Sequence, residues 1–574
     1  MKSSEFILKT LYRFGCNDLF CIPGGVILPL LYAARTSTPE IRCHLNYHEQ
    51  ASGFAACGYS HVSGRLGCAV VTRGPGATNI TTAVAEAWQE SLPVVFITGH
   101  AEIGKSNTRF DHDQELDLSS SFSFFTKKSL RINTLDELLI EFPNICRIAQ
   151  EGRKGPVYVD IYGSLFDKNL DEAKAENALR SLFNDKGNKL LCKSNVLDEI
   201  FSKINNANAP VILIGDGIRF VSYLDRNLIK LLSGLGIPII SSRGSSDISN
   251  SLNYFGYVGS HGCRSANCIL SKADLVISIG NRLGFPENSQ TFRSVYKSEL
   301  IQVDIDGNEL LKHKEWKGLR FLCDAGDFIK QISKRLSIQK KSRFSDWLFA
   351  CKAIARLLEK TDCGTLIFEL SEIMKISALS GCCAFSFDAG NNEFFCSRAY
   401  TLVKSYCDGV KVLCSKSFGT LGISLARAIG ACIAESKRVV CFTGDQGFQL
   451  NIQEIECIVS ANLPITIVII NNFSSGMIAD AENNRGYPEF LVNVNSGYNV
   501  PDFKKILSAY GIPFLRSLKD LKDISGPCFM EIFSTNKEEY LWKIPRGETM
   551  DKMCPPLDKE TDSKLQAFLN SILK

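Results

Sequence analysis

The chain has 574 residues, 45% of them hydrophobic, and a mean hydropathy of zero, enough for three or four domains at roughly 150 residues each. Its net charge of +4 is too balanced for a protein that holds nucleic acid or a membrane surface through charge. No apolar run approaches the roughly 18 residues that span a bilayer. The N-terminal segment MKSSEFILKTLYRFGC has no sustained apolar region and no small-residue cleavage site, so a cytoplasmic protein is expected. The 22 cysteines are scattered without a CxxC pair, which predicts reduced, buried thiols.

In chain order, apolar strand-like runs alternate with longer helical patterns, the signature of parallel sheets. A first block, residues 1–166, has strands at Gly67–Thr72, Pro93–Thr98 and Val157–Ile161. A charged stretch, Asp167–Lys189, reads as a linker. A second block, 190–335, has strands at Val211–Ile214, Ile237–Ser241, Leu275–Ile279 and Leu300–Asp304. A polar linker over Ser337–Asp346, basic at Lys340–Arg343, leads to a third block, 346–533. The tail, 534–574, is rich in proline and charge and predicts a short amphipathic helix at most. The expected fold is α/β, with three doubly wound parallel-sheet domains.

The third block carries the strongest signal. Strand Val439–Phe442 runs into Gly444-Asp445, and strand Ile465–Ile470 runs into Asn471-Asn472. Parallel strands joined by a helix bring Asp445 and Asn472 together at their carboxyl ends, where open α/β sheets bind ligands. A carboxylate and an amide oxygen there suit Mg²⁺. Free amides after Gly444 suit a diphosphate.

The Gly444–Asn472 spacing matches the GDG…NN motif of thiamin diphosphate enzymes. FCIPGG (Phe20–Gly25), YHEQASGFAACGYS (Tyr47–Ser60) and VVTRGPGATN (Val70–Asn79) resemble the pyrimidine-binding domain of the acetolactate synthase-like family. The resemblance continues in order to about residue 535. It implies a pyrimidine-binding, a central and a diphosphate-binding domain. It also implies that Glu49 hydrogen-bonds N1′ of the aminopyrimidine, that Gly25 and Gln114 lie near the reacting carbon, and that Leu421 props the bent cofactor. Gly419 accepts from N4′ on this reading. Pro75, Asn79, Asn391, Asn392, Gly444, Gln446, Gly447 and Met477 complete the cofactor set. Asp445, Asn472 and the Ser474 carbonyl are the implied Mg²⁺ ligands. One departure is Gln446, where the motif has glycine; Gln446 then needs a compatible backbone, or Gly447 takes that role.

The second block resembles the family's FAD domain at Gly215, Gly217, His261, Gly262, Asn281, Arg282, Asp304 and Asp306. FAD there would be structural rather than redox-active. Many members of the superfamily keep this fold without a flavin, and Gly215-Asp216-Gly217 is no dinucleotide fingerprint by itself.

The resemblance implies a pyruvate-type donor, decarboxylated and then coupled to a second carbonyl. Arg282 aligns with an acceptor-binding arginine. Asp113 stands for a Phe, Ser260 for a Met and Ala481 for a Trp. A larger, more polar pocket favours hydroxyl-bearing acceptors, because a site built to hydrogen-bond hydroxyls rejects ligands lacking them. The tail Met550–Leu557 (MDKMCPPL) is similar to endings of family members from surface-polysaccharide pathways. The expected function is a carboligase that adds an acetyl unit from pyruvate to a nucleotide-linked keto-sugar. An acetolactate synthase and a pyruvate oxidase-like enzyme are the alternatives. A non-catalytic paralogue is disfavoured by the presence of Glu49, Asp445 and Asn472, and a simple decarboxylase by the lack of a His-His pair. The family's shared active sites imply a homodimer or homotetramer.

Overall fold

The computed structural model describes the chain except residues 102–112, 182–189, 193, 226, 249–250, 285–293, 337–342, 518–519, 522–523, 535–542, 546 and 573–574. Three sheets carry the fold. The first holds β1 (Asp18–Cys21), β2 (Arg42–Leu45), β3 (Gly67–Val70), β4 (Val94–His100), β5 (Lys128–Ile132) and β6 (Val157–Tyr162), in the order β2-β1-β3-β4-β6-β5. The second holds β7 (Pro210–Ile214), β8 (Ile239–Ser241), β9 (Tyr254–Tyr257), β10 (Leu275–Ile279), β11 (Glu299–Asp304) and β12 (Gly318–Leu322), in the order β12-β11-β10-β7-β8-β9. The third holds β13 (Ala384–Phe387), β14 (Lys411–Leu413), β15 (Val439–Gly444), β16 (Ile465–Asn471) and β17 (Cys528–Phe533), in the order β14-β13-β15-β16-β17. The described registers are all parallel. The central strands are buried throughout, as expected where helices cover both faces of a parallel sheet.

The chain divides into two compact units. One comprises 1–187, 380–392 and 413–533; the other comprises 188–379, 393–412 and 534–574. In the first, helix Glu49–Ser63 packs directly on helix Ile423–Glu435. Glycines permit this approach: a Cβ on Gly430 would lie 1.8 Å from the Ala55 carbonyl oxygen, and one on Gly58 2.2 Å from that of Arg427.

Three organisational expectations change. Asp167–Lys189 is not plain linker: Glu172–Ser181 is a helix whose Ala175 and Leu179, one turn apart, join the first sheet's core. Helices Ser345–Leu358 and Thr365–Leu379 fall in the second unit, although the third block was expected to begin at 346. Trp347 is anchored there by its indole N–H, which donates to the Pro210 carbonyl at 2.9 Å. The tail forms a 14-residue helix, Lys559–Ile572, seated on the second unit through Leu565 and Leu569. Met550 and Met553 are buried in the same core, and Arg264 donates to the Met553 and Pro555 carbonyls. The tail motif thus has a packing explanation. All 22 cysteines are free thiols, most of them buried, and no described helix is long and apolar enough to cross a membrane.

Candidate functional site

In the first and third sheets the strand order reverses between the first and third strands, β1 and β3 in one and β13 and β15 in the other, the place where open α/β sheets bind ligands. The predicted residues follow the carboxyl ends of these strands. Gly25 lies after β1, Glu49 after β2 and Pro75–Asn79 after β3. Asn391 and Asn392 follow β13, Gly419 and Leu421 follow β14, Gly444–Gly447 closes β15, and Asn472–Ser474 follows β16. All belong to the first unit.

Glu49 opens helix Glu49–Ser63 after an extended His48, a position the helix dipole favours for a carboxylate. Its Oε2 accepts from Asn79 Nδ2 at 2.9 Å. Asn79 ends a short helix that Pro75 opens behind Gly74. Gly74 has φ +58 and ψ −113, which only glycine adopts readily, and a Cβ on it would meet Gln114 at 2.8 Å. Gln114 itself is held at φ +54, a strained setting for a side-chain-bearing residue and one that clusters at functional sites.

The segment before Glu49 is fastened by a residue the sequence reading missed. Glu454 is buried and accepts from Asn46 Nδ2 at 2.9 Å and from the Tyr47 amide at 3.0 Å. Burial pushes its carboxyl up to about 7 from 4.5. The folded protein therefore binds this proton more tightly than the unfolded chain does. The stabilisation is whole below about pH 4.5 and is lost as pH rises through about 7. At roughly 1.36 kcal/mol per pKa unit this amounts to no more than about 3 kcal/mol. Glu454→Gln keeps an acceptor for Tyr47 and lets Asn46 turn its buried, unpartnered Oδ1 to the new amide. Urea unfolding at pH 5 and pH 8 should show a smaller stability loss across that interval than in the parent protein. An unchanged slope would show that Glu454 titrates as an ordinary glutamate.

Two further acidic residues were missed. Arg427 ion-pairs with Glu86 at 3.1 Å and Glu90 at 2.9 Å, all three buried. Glu86 also accepts from Ser415 Oγ at 2.9 Å and Thr420 Oγ1 at 2.5 Å, and Ser415 accepts from the Gly419 amide at 2.8 Å. Burial, with Glu90 alongside, pushes Glu86 up to about 8. Glu86 thereby holds the Ser415–Leu421 loop. The signal was in the sequence: charges inside the apolar helices Thr81–Glu90 and Ile423–Glu435 demand partners.

Gly444 caps helix Asp445–Leu450. Asp445 is 2% exposed, and burial pushes its carboxyl up to about 6. Oδ1 accepts from the Gln446 amide at 2.8 Å, whereas Oδ2 is buried without a hydrogen-bond partner beside Tyr498. Asn472 Oδ1 accepts from the Ser474 amide at 3.2 Å, and Ser474 Oγ donates to the Val492 carbonyl at 2.9 Å. Asn391 donates to Asp480 at 3.0 Å but keeps a buried, unpartnered Oδ1; Asn392 donates to the Ala389 carbonyl at 3.1 Å. Gly25 and Gly419 face open space, and Leu421 is 40% exposed. Met477 and Ala481 lie one turn apart on helix Gly476–Arg485. An orphaned buried carboxylate oxygen at the end of β15 and an amide oxygen just past the end of the neighbouring β16 fit a hard cation, and the open glycines and an exposed leucine fit a bound organic group.

Gln446 sits in the first turn of a helix with no positive φ, so the departure from glycine carries no backbone strain. Gly447, offered as its substitute, is accounted for by packing: a Cβ there would meet Asp388 at 2.9 Å.

In the second unit, the strand order is that of dinucleotide-binding folds. Gly215 and Gly217 follow β7, His261 and Gly262 follow β9, Asn281 and Arg282 follow β10, and Asp304 and Asp306 close and follow β11. The glycines are explained without a ligand: a Cβ on Gly215 would lie 2.2 Å from the Gly280 oxygen, and the Gly217 amide donates to that oxygen at 2.9 Å. Asn281 Oδ1 accepts from Leu283, Asp304 accepts from the Asp306 amide, and Asp306 caps Asn308. His261 stacks on Phe394 at 4.0 Å, its ring held neutral by burial, with a pKa near 3. These contacts do not by themselves call for a flavin. Of the four acceptor residues, Asp113 and Ala481 lie in the first unit and Ser260 and Arg282 in the second.

Three models of the thiamine pyrophosphate (thiamin diphosphate) enzymes match: the N-terminal TPP-binding domain over 1–121, the central domain over 197–332 and the C-terminal TPP-binding domain over 388–531. Fold and site together define a thiamin diphosphate-dependent enzyme that forms carbon–carbon bonds. The chain is 30% identical to the acetolactate synthase isozyme 1 large subunit of Escherichia coli K12, covering 96% of this chain and 97% of that protein. It is 28% identical to a probable acetolactate synthase large subunit of Methanococcus aeolicus, over 99% and 98% of the two chains. It is also 28% identical to the Lactococcus lactis large subunit, over 96% and 95%. The chain therefore belongs to the acetolactate synthase-like family of these enzymes.

Proposed function

We propose that this enzyme decarboxylates pyruvate and transfers the two-carbon acetyl unit to a nucleotide-linked keto-sugar, as in branched-sugar and polysaccharide biosynthesis. The observation that carries this reading is the acceptor set, in which Asp113, Ser260 and Ala481 stand where the family has large apolar side chains. Asp113 is 81% exposed on its side chain and pairs with Arg73 at 3.6 Å, so it presents a solvated polar wall.

Bound thiamin diphosphate supplies a carbon that takes up the ketoacid carbonyl and stores the electron pair released on decarboxylation. Asp445, Asn472 and the Ser474 carbonyl would hold Mg²⁺, with Asn391 and Asn392 near the diphosphate. Glu49 would hold a proton at Oε1 or Oε2 against the pyrimidine, oriented by Asn79. Glu86 keeps the Gly419 loop in place. Arg282 would orient the acceptor.

FAD in the second unit is supported by strand order and resemblance; its role there would be structural. A homodimer or homotetramer with shared sites is the assembly that the resemblance to the family supports. The second reading is acetolactate synthesis, favoured by the names of the relatives.

The test is to incubate the protein with pyruvate, Mg²⁺, thiamin diphosphate and nucleotide-linked keto-sugars, then follow mass. A gain of one acetyl unit on a sugar nucleotide is expected. Efficient acetolactate formation with no sugar product would establish the second reading. A visible spectrum of the same preparation, with FAD added, reads the flavin by its absorption bands.

A further inference from the structure

A cavity of about 270 Å³ opens beside the Gln114 turn of the first unit. Its walls include Arg73, His100, Gln114, Glu115, Arg131 and Asp160. Among these only Gln114 belongs to the cofactor and acceptor sets above. The cavity adjoins the Glu49 machinery through two contacts. Gln114 packs on Gly74, which caps the helix carrying Asn79. Gly99, also in the wall, packs on Val26, next to Gly25.

The lining is built for hydrogen bonding and is incompletely satisfied. His100 is 5% exposed, and its Nδ1 lies 2.6 Å from the Ala101 carbonyl oxygen. A carbonyl only accepts, so Nδ1 carries a proton. Nε2 of the ring is buried without a hydrogen-bond partner, and so is Oε2 of Glu115. Asp160 is 3% exposed and is held above the usual carboxylate range by burial, against the pull of His100, Thr98 and Arg131. Arg131 is already shared between Asp117 at 3.2 Å and Asp160 at 3.6 Å, and Arg73 is paired with Asp113.

These features select the ligand. Each guanidinium is matched by a carboxylate, so neither arginine is left over for a phosphate or a 2-ketoacid. What the cavity lacks is hydrogen-bond partners for two buried polar atoms, His100 Nε2 and Glu115 Oε2. An anionic ketoacid brings no donor to the Glu115 oxygen; hydroxyls both donate and accept, so a ring bearing several of them can pair with both atoms. A buried polar atom left without a partner is costly, so pairing both is a strong preference. The volume sits at the small end of ligand pockets, which run from about 300 to 1,000 Å³, and suits one sugar ring rather than a sugar with its nucleotide.

We propose that this cavity is a subsite for a single polyhydroxylated sugar ring, bound through His100 Nε2 and Glu115 Oε2. The assignment of that ring as part of the acceptor rests on the proposed function; the binding itself does not.

The experiment is saturation-transfer NMR on the holoenzyme with a panel of free hexoses, deoxyhexoses and ketohexoses, with 2-ketobutyrate as the hydroxyl-free control. His100→Phe removes the unpartnered ring nitrogen and fills the space. Glu115→Gln, at a less buried position, is the second variant should His100→Phe unfold. At least one sugar should give a signal in the parent protein, weakened about fivefold or more in His100→Phe and about threefold in Glu115→Gln. No signal from any sugar, or signals unchanged in both variants, would overturn the subsite. Carboligation is assayed in parallel. Sugar product with an unchanged acceptor KM in both variants leaves the proposed function standing and removes the assignment of the ring to the acceptor. Variant-sensitive sugar binding without any sugar product leaves the subsite standing and removes the acceptor reading.

Discussion

Glu49→Gln is expected to lower carboligation by about 10²–10⁴-fold, the usual contribution of a positioned proton-transfer group, with melting temperature unchanged. Glutamine keeps the length of the side chain and an oxygen that accepts from Asn79 Nδ2. Helix Glu49–Ser63 keeps its contacts with helix Ile423–Glu435, which lie further along at Ala55 and Gly58. What is lost is the carboxyl's ability to hold and release a proton. A merely structural carboxylate at a helix start is worth about 0.3–1 kcal/mol through the dipole, so its loss would move stability and leave the rate alone. Steady-state rates and thermal melts on the same preparation separate the two. A variant with parental rate would remove Glu49 from the chemistry.

Much of this site was legible because strand ends punctuate the chain. Apolar runs such as Val439–Phe442 and Ile465–Ile470 end in glycine, aspartate or asparagine, and parallel topology then gathers those ends. Two edge strands carry no such run: β2, Arg42–Leu45, is largely exposed, and β12, Gly318–Leu322, is only partly buried. Helices Glu172–Ser181 and Lys559–Ile572 were obscured for a related reason. Each is mostly polar and shows its apolar side only through residues one turn apart, Ala175 with Leu179 and Leu565 with Leu569. Their docking is decided by distant parts of the chain. Glu86 and Glu454 went unseen because a buried carboxylate is recognised by its partners, and Arg427 and Asn46 lie hundreds of residues away. The tail, read for its likeness to particular enzymes, also carries a packing role that its sequence did not announce, the burial of Met550 and Met553.

Asp445→Asn is the second large prediction, and it has two opposite parts. In the protein stripped of Mg²⁺ and cofactor, Oδ2 of Asp445 is buried without a partner and burial holds the carboxyl near pH 6. The ordinary value is 3.8, so the folded protein favours the protonated form. Its contribution to stability is therefore lost as pH rises through about 6. At pH 8 the carboxylate is ionised and costs up to about 3 kcal/mol, at roughly 1.36 kcal/mol per pKa unit. Asparagine removes that charge, so the stripped variant should be more stable than the parent at pH 8 and differ little at pH 4. Adding Mg²⁺ with thiamin diphosphate should reverse the order. Ligands that bind only the folded state stabilise it by RT ln(1 + [L]/Kd), and a neutral amide is a poorer partner for Mg²⁺ than a carboxylate. Altering groups that merely support a metal ligand typically costs 10–100-fold in affinity; replacing the ligand itself should cost at least about 100-fold. Thermal melts at both pH values, with and without Mg²⁺ and cofactor, read both parts without any activity assay. A variant that gains as much from the added ligands as the parent would show that the cation is held elsewhere. A stripped variant no more stable than the parent at pH 8 would show that the Asp445 carboxylate is not strained by burial. Gain without ligands and loss with them is the signature of a residue kept at a cost to folding because binding requires its charge.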